Sequence, residues 1–119
     1  MRLDLEAVAG TFAHDPRVVL VTVFGSAQEG EVPEGSDVDI AVLLSPEMNP
    51  TDFYAFYQEM ATKLPAIDKL DLIDLNHADS ILAFEALCGR RLFVRDPDAV
   101  AAFSSLVARQ YEDDMLHVA

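Results

Sequence analysis

The chain has 119 residues, of which 51% are hydrophobic, and its formal net charge at pH 7 is −13. This length accommodates one domain, and the hydrophobic fraction predicts a packed core and argues against intrinsic disorder. Proteins that grip long nucleic acids rely on cationic contacts with phosphates, so eight Lys and Arg residues against 21 Asp and Glu residues argue against that class. Such acidity suits a small nucleotide that arrives with metal, or a basic protein partner.

Two features of the sequence indicate where the protein works. No apolar run reaches the roughly 18 residues of a membrane span, and the start, MRLDLEAVAG, lacks the long apolar core of a signal peptide. Cys88 is the only cysteine, so no intrachain disulfide can form, as is usual in reducing compartments. We therefore expect a cytoplasmic protein without a membrane segment.

The first half of the chain predicts one helix followed by two strands. Residues 5–12 carry apolar side chains at helical spacing, and Pro16 ends that pattern. Residues 17–24 (RVVLVTVF) are apolar on both faces, as in a buried central strand. Residues 27–36 contain two glycines and a proline and predict a connection, and residues 38–44 (VDIAVLL) predict the second strand.

The second half continues the alternation of helices and strands. The predicted elements are a helix from Asn49-Pro50 to the residue before Pro65, a strand at 69–75, a helix at 81–88 closed by Gly89, an edge strand at 91–94, and a last helix from Asp96-Pro97. The pattern is that of one α/β domain over residues 1–119. We expect a small mixed β-sheet with helices packed on it as a single pair of layers. Cys88 is expected to be a small core residue.

The acidic residues with the clearest chemistry are Asp37 and Asp39, at the start of the second strand. Side chains two residues apart on a strand project from the same face, and two adjacent carboxylates repel each other unless a cation lies between them. Mg²⁺ prefers carboxylate oxygens together with substrate phosphates. We therefore predict that this pair binds metal. Two Mg²⁺ ions roughly 3.5–4 Å apart are the arrangement used for in-line phosphoryl or nucleotidyl displacement.

Gly25 and Ser26 precede this pair, separated from Asp37 by ten residues, and they end the first predicted strand. A tight turn at this point would present backbone N–H groups that can hold phosphate oxygens. A DxD pair alone is a weak signal, but the combination FGS-x10-DVD indicates nucleotide chemistry.

A third carboxylate is expected, because one metal ion must also activate an attacking hydroxyl. The strand KLDLIDL offers Asp71 and Asp74, which face opposite sides of the strand. Asp71 shares its face with Ile73 and Leu75, where an uncompensated carboxylate would be costly, so we favour Asp71. Asp74 lies close to the loop at Asn76 and fits equally well as a cap for the following helix.

FGS-x10-DVD followed by KLDLIDLN resembles the minimal nucleotidyltransferase (MNT) group of the polymerase-beta-like superfamily. The resemblance covers most of the chain, including DLIDLNHADSILAFEALCGRRLFVRD. It implies a polymerase-beta-like nucleotidyltransferase fold for the domain. It also implies that Gly25 and Ser26 hold the triphosphate of the nucleotide, that Asp37 and Asp39 bind the metals, and that Asp71 is the third carboxylate, next to the acceptor hydroxyl.

Members of this group are often the antitoxin of a HEPN/MNT toxin–antitoxin pair. The resemblance therefore implies ATP as substrate, Mg²⁺ as cofactor and a HEPN ribonuclease toxin as partner, with AMP transferred to a tyrosine of the toxin. Two alternatives remain open. One is an antitoxin that neutralises its toxin by occlusion, and the other is nucleotidyl transfer to a small molecule, which normally needs an added domain for the acceptor pocket.

One stretch departs from the pattern of the group. Many relatives have a basic residue a few positions after Gly-Ser, where this chain has Gln28 and Glu29. A glutamate beside a triphosphate is unfavourable unless it points away, which puts the affinity for ATP in question. Arg90 and Arg91 are candidates for the missing positive charge, although a surface position beside a helix C-terminus is the simpler explanation for them.

Overall fold

The computed structural model describes residues 1–118, which contain four helices and four strands. In chain order these are α1 (Leu5–Ala13), β1 (Val18–Phe24), β2 (Val38–Leu44), α2 (Pro50–Lys63), β3 (Leu70–Asp74), α3 (Ser80–Leu87), β4 (Arg90–Val94) and α4 (Pro97–Val118). A 3-10 turn, Gly25–Ala27, follows β1 directly. All of the predicted elements are present. None of these helices combines the length and the apolar character that crossing a membrane requires.

The four strands form one mixed sheet in the order β3-β2-β1-β4. β1 lies antiparallel to both β2 and β4, and β2 lies parallel to β3. The predicted mixed sheet is therefore confirmed, and so is the edge position of β4. β3 forms the opposite edge of the sheet.

Helices cover both faces of the sheet, so the expectation of a single pair of layers is wrong. α1 and α2 pack on one face, where Phe12 shares a core with Ile40 of β2. α3 and α4 pack on the other face, where Val100 shares a core with Ala41 of β2. The cause lies in the central strands: all seven residues of β1 are buried, and a strand that is apolar on both faces needs cover on both.

Asn76 fixes the pairing between β2 and β3 just beyond the end of β3. Its side-chain oxygen accepts a hydrogen bond from the backbone N–H of Leu44 at 3.0 Å, and its side-chain nitrogen donates to the carbonyl of Leu44 at 3.0 Å. The amide side chain thus continues the ladder between the two strands. The register that it secures places Asp39 opposite Asp71.

α3 packs on the sheet through its small residues Ser80, Ala83 and Ala86, which are buried. The helix ends at Leu87, and Cys88 is its C-cap. Cys88 is exposed, so the expectation of a core residue is wrong. The reason is angular: Cys88 lies on the side of the helix turned away from the three small residues.

Gly89 connects α3 to β4 at a position where a side chain would not fit. A Cβ atom at this position would lie 2.5 Å from the carbonyl oxygen of Val23 and 2.7 Å from the Cβ of Phe24. Because only glycine fits, the end of α3 is held directly against the end of β1. The side of α3 turned away from its three small residues carries Ile81, Phe84 and Cys88, and we call it the outward side. It lies next to Gly25, the first residue after β1.

Candidate active site

The structure brings Asp39 and Asp71 together across neighbouring strands. They are register partners in the β2–β3 pair, and their carboxyl groups are close enough to hydrogen-bond each other. Both lie on the face covered by α3 and α4, because Ala41 and Ile73, two residues further along each strand, contribute to the core on that face. Asp37 is exposed, two residues before Asp39, and its charge also acts on Asp39.

The pKa of Asp39 is raised above the usual aspartate value of 3.8. Burial is the largest cause, followed by the negative charge of Asp71, the hydrogen bond with Asp71, and the charges of Asp37 and Glu85. No ion pair formed within residues 1–118 includes any of the three aspartates. A bound cation would relieve this concentration of negative charge.

The carboxylates fit Mg²⁺ that binds together with a phosphorylated substrate. In the part of the chain that the structure describes, no three His, Cys, Asp or Glu side chains are gathered closely enough to hold a metal ion by themselves. Mg²⁺ seldom uses such a protein cage. It takes one or two carboxylates and completes its coordination with water and phosphate oxygens, which Asp39 and a neighbouring aspartate allow.

The turn at Gly25 and Ser26 lies directly against the carboxylate of Asp39. Phe24, the residue before the turn, is the register partner of Asp39. Gly25 has φ +71°, and a Cβ atom there would lie 2.6 Å from Oδ2 of Asp39. Gly25 and Ser26 are both exposed. The structure thus places the predicted phosphate turn and the predicted metal ligand in contact.

Replacing Gly25 by alanine should weaken the binding of Mg²⁺–ATP at least about tenfold. The new Cβ would displace the Asp39 carboxylate, in addition to a backbone strain of ~1–2 kcal/mol at positive φ. Gly35→Ala is the matched control, because Gly35 has φ +80° but no atom within 4 Å of an added Cβ. Equilibrium dialysis measures the affinity. Equal weakening in both variants would show that only backbone strain is at work.

Asp71 and Asp74 have different surroundings. Asp71 is exposed at the start of the edge strand β3, so the expectation that its carboxylate is buried is wrong, although Ile73 and Leu75 on the same face do contribute to the core. Its approach to Asp39 is what distinguishes Asp71. Asp74 is turned towards the loop after β3, where its carboxylate accepts from the N–H of Asn76 at 3.1 Å and contacts Nδ1 of His77 at 2.8 Å. The structure does not bring Asp74 to the other predicted site residues.

The pKa of His77 should lie above 6.5, because Asp74 hydrogen-bonds to the ring and adds negative charge, with a smaller contribution from Glu47. A pKa raised on folding stabilises the protein fully below about pH 6.5, and the contribution is lost as the pH rises through the folded-state pKa. An NMR titration of the ring protons, in the native protein and in Asp74→Asn, measures this. A pKa that Asp74→Asn leaves unchanged would rule out the contact.

The residues that depart from the family pattern lie around the same turn. The side chain of Gln28 donates to the carbonyl of Gly25 at 3.3 Å, and Arg90 donates to the carbonyl of Gln28 at 3.4 Å. Glu29 is exposed and lines a separate groove together with Arg2 and Arg90. The structure therefore directs Glu29 to a different groove from the cavity at Gly25.

A cavity of about 480 Å³ beside Gly25 was not found from the sequence. Its walls include the outward side of α3 and Tyr111 of α4, which stacks on Phe84 with the ring centroids 4.1 Å apart. The signal in the sequence is a second apolar stripe on α3, formed by Ile81, Phe84 and Cys88. Periodicity alone does not separate a helix with two apolar sides from a fully buried helix.

Comparisons with known proteins show similarity to a curated protein and to several solved structures. Over 84 residues the chain is 30% identical to the protein adenylyltransferase MntA of Shewanella oneidensis; the match covers 70% of this chain and 59% of MntA. A crystal structure of a toxin–antitoxin with AMP-PNP superimposes with a TM-score of 0.79 at 23% identity, covering 97% of this chain and 92% of that one. Another is a complex of the tri-AMPylated Shewanella oneidensis HEPN toxin with the MNT antitoxin (TM-score 0.72, 20% identity, 96% and 92% covered).

The family match over residues 6–98, together with the likeness to the structure that contains AMP-PNP, confirms the predicted polymerase-beta-like fold. The chain spans about 59% of the length of MntA. Residues 6–98 match the family described as Polymerase beta, Nucleotidyltransferase, which is most of the chain. The chain therefore belongs to the polymerase beta nucleotidyltransferase family.

Proposed function

We propose that this chain is a Mg²⁺-dependent nucleotidyltransferase that transfers AMP from ATP to a tyrosine hydroxyl of a HEPN ribonuclease toxin and thereby acts as an antitoxin. Its relative MntA is a protein adenylyltransferase, and a chain of the same fold occurs in a complex with an AMPylated HEPN toxin. Family membership supports nucleotidyl transfer as the reaction class.

One observation carries the proposal: the carboxylate of Asp39 lies between the carboxylate of Asp71 and the turn at Gly25. Asp71 is its partner in the neighbouring strand, and Gly25 leaves no room for a side chain beside Oδ2 of Asp39. In-line displacement needs an attacking group on one side of the reactive phosphorus and a leaving group on the other. The order Asp71, Asp39, Gly25 across the sheet suits that requirement.

Each residue has a part in the proposed reaction. The backbone N–H groups of Gly25 and Ser26 hold the triphosphate, Asp37 and Asp39 hold Mg²⁺, and Asp71 lies next to the acceptor hydroxyl. When bound to these carboxylates, Mg²⁺ would supply positive charge that offsets the charge developing on the phosphate and would lower the pKa of the attacking hydroxyl. The acceptor oxygen forms a bond to the α-phosphorus, the bond from that phosphorus to pyrophosphate breaks, and the hydroxyl proton passes to solvent water.

The acceptor is proposed to enter from the β3 edge of the sheet. Asp71 is exposed there, whereas helices pack on both faces of β1 and β2. Transfer requires the acceptor hydroxyl within bonding reach of the α-phosphate, so the partner must dock over the face that bears Asp37, Asp39 and Asp71.

The proposal treats residues 1–119 as one nucleotidyltransferase domain that acts in the cytoplasm, where ATP is available, and that does not grip long nucleic acids. The net charge of −13 supports the last point.

Neutralisation of a cognate toxin in cells separates catalysis from occlusion. Asp37→Asn or Asp39→Asn should abolish neutralisation while the variant still co-purifies with the toxin. Full neutralisation by both variants would support the alternative of inhibition by direct binding. Transfer of AMP to an added small molecule, with the toxin left unmodified, would support the other alternative.

Association with a basic partner should be steered by charge. With a net charge of −13, we expect the association rate constant to fall roughly tenfold or more between low and high salt, while the dissociation rate constant changes less. The acidic end of α4, Glu112 to Asp114, is a proposed contact. Surface plasmon resonance over a salt series measures both rate constants. An association rate that is independent of salt would mean that the acidity serves solubility alone.

A further inference from the structure

The cavity beside Gly25 has three features that together indicate a ligand. Its volume of about 480 Å³ is in the range of small-molecule sites. Its wall on α3 presents the apolar side chains of Ile81 and Phe84, and Ile81 is 50% exposed although it is a large aliphatic residue. Phe84 is held flat against Tyr111, with an angle of 11° between the rings.

The cavity is continuous with the proposed reaction site. Gly25, the first residue of the proposed phosphate turn, is one of its walls. Glu85 is another, and the charge of Glu85 contributes to the raised pKa of Asp39. A ligand in the cavity therefore lies beside both the phosphate turn and the carboxylate of Asp39.

The direction of the proposed reaction indicates which part of the nucleotide would occupy the cavity. Asp71 and Gly25 lie on opposite sides of Asp39 across the strands, so the proposed attacking and leaving groups occupy that line. In an in-line displacement the ribose is attached to an oxygen of the α-phosphorus that lies beside this line. The nucleoside therefore extends to one side of the line. The cavity lies next to Gly25 on the sheet face that carries Asp39, because α3 and α4 pack on that face.

We infer that the cavity between the end of β1, the outward side of α3 and Tyr111 binds the nucleoside of the nucleotide substrate, with the base against Ile81 and Phe84. This inference rests on the proposed function, because it takes the phosphate turn at Gly25 as its anchor. A base in this position would remove the apolar surface of Ile81 and Phe84 from water and pack its flat face against these side chains. The cavity thus supplies the part of the ATP site that lies beyond the phosphates.

Cys88 provides a direct probe of the cavity. It is the only cysteine of the sequence, it is exposed, and it lines the cavity. The rate at which a thiol reagent labels the native chain therefore reports on occupancy at this wall alone. The reaction is followed with Mg²⁺ alone, with Mg²⁺ and AMP-PNP, and with Mg²⁺ and inorganic tripolyphosphate, and equilibrium dialysis measures binding of each ligand under the same conditions.

We expect saturating AMP-PNP to slow the labelling of Cys88 at least about tenfold, and bound tripolyphosphate to leave the rate unchanged. AMP-PNP that binds without slowing the labelling would overturn the inference and leave the proposed function standing. Protection by tripolyphosphate as strong as that by AMP-PNP would also overturn it. Failure of any nucleotide to bind would overturn the proposed function, and the inference with it.

A matched pair of variants tests the apolar wall. Ile81→Ser removes an exposed aliphatic side chain from the cavity, and Leu106→Ser removes one from α4 that does not line it. We expect the Kd for ATP to rise about five- to tenfold in Ile81→Ser and to stay unchanged in Leu106→Ser. The affinity for tripolyphosphate should be unchanged in both. An equal effect of the two variants on ATP binding would contradict the assignment of Ile81 to the nucleoside site.

Discussion

Asp39→Asn should reduce the rate of AMP transfer by roughly 10²–10³-fold or more, the scale on which removal of one charge-stabilising group acts. Asp39 is the central carboxylate of the site, next to both Asp71 and Gly25. An amide keeps the shape of the side chain but removes the negative charge that Mg²⁺ requires. The measurement is transfer of labelled AMP to the partner. A rate equal to that of the native protein would end the metal-site assignment.

The same variant should be more resistant to heat than the native protein when Mg²⁺ is absent. A folded-state pKa above 3.8 means that ionisation of Asp39 opposes folding. The favourable contribution of the protonated carboxyl is present below about pH 3.8 and is lost as the pH rises through the raised pKa, whereas the amide does not ionise. The native protein should therefore have the lower Tm at pH 7, and added Mg²⁺–ATP should raise its Tm but not that of the variant.

Asp68→Asn is the control for both measurements. Asp68 is an exposed aspartate in the loop before β3, and its charge is not among those that act on Asp39. It should leave the transfer rate and the Tm close to native values. A Tm increase as large as that of Asp39→Asn would mean that lowering the net charge, rather than local repulsion, stabilises the protein.

Asp71→Asn should also lose transfer by about 10²-fold or more, and Asp74→Asn should remain largely active. The two substitutions are chemically identical and lie three residues apart on the same strand. Asp71 approaches Asp39 across the strands, whereas Asp74 is engaged by Asn76 and His77. Initial rates at saturating ATP, measured against a fixed concentration of partner, compare the two directly.

The opposite ranking of these variants would show that β3 is paired with β2 in a different register, because a shift by one residue exchanges the two faces of a strand. Loss of activity in both would mean that the end of β3 must be intact for the site to form. Asp74→Asn therefore needs a check of its Tm, since it removes the contacts that hold the loop at His77.

The strands were predictable because their signals are local. Residues 17–24 are apolar on both faces and residues 38–44 follow a turn-rich connection, so both strands could be placed without knowledge of the fold. Apolar residues on both faces of β1 imply that helices pack on both sides of the sheet. The sequence does not show which helix lies on which side. That assignment depends on contacts between distant segments, and for this reason the two-layer expectation failed.

The site was predictable in part, for a similar reason. Asp37 and Asp39 share a strand face by simple alternation, and Gly25 marks a turn. The choice of Asp71 rested on an expected burial that the structure does not have; the strand register brings it to Asp39. Cys88 and the cavity beside Gly25 were missed because they depend on how α3 packs on the sheet, where Gly89 allows the end of the helix to lie directly against β1.

The position of the label transferred from ATP tests the central claim most directly. The chain, the proposed HEPN toxin partner and Mg²⁺ are incubated with ATP labelled at the α-phosphate or, in parallel, at the γ-phosphate, and the partner is then isolated and digested to locate the label. We predict that the α-label appears on a tyrosine of the partner, that the γ-label leaves with pyrophosphate, and that Asp39→Asn abolishes transfer although the complex still forms. A γ-labelled partner, or an unlabelled partner in a stable complex with the native chain, would contradict the account.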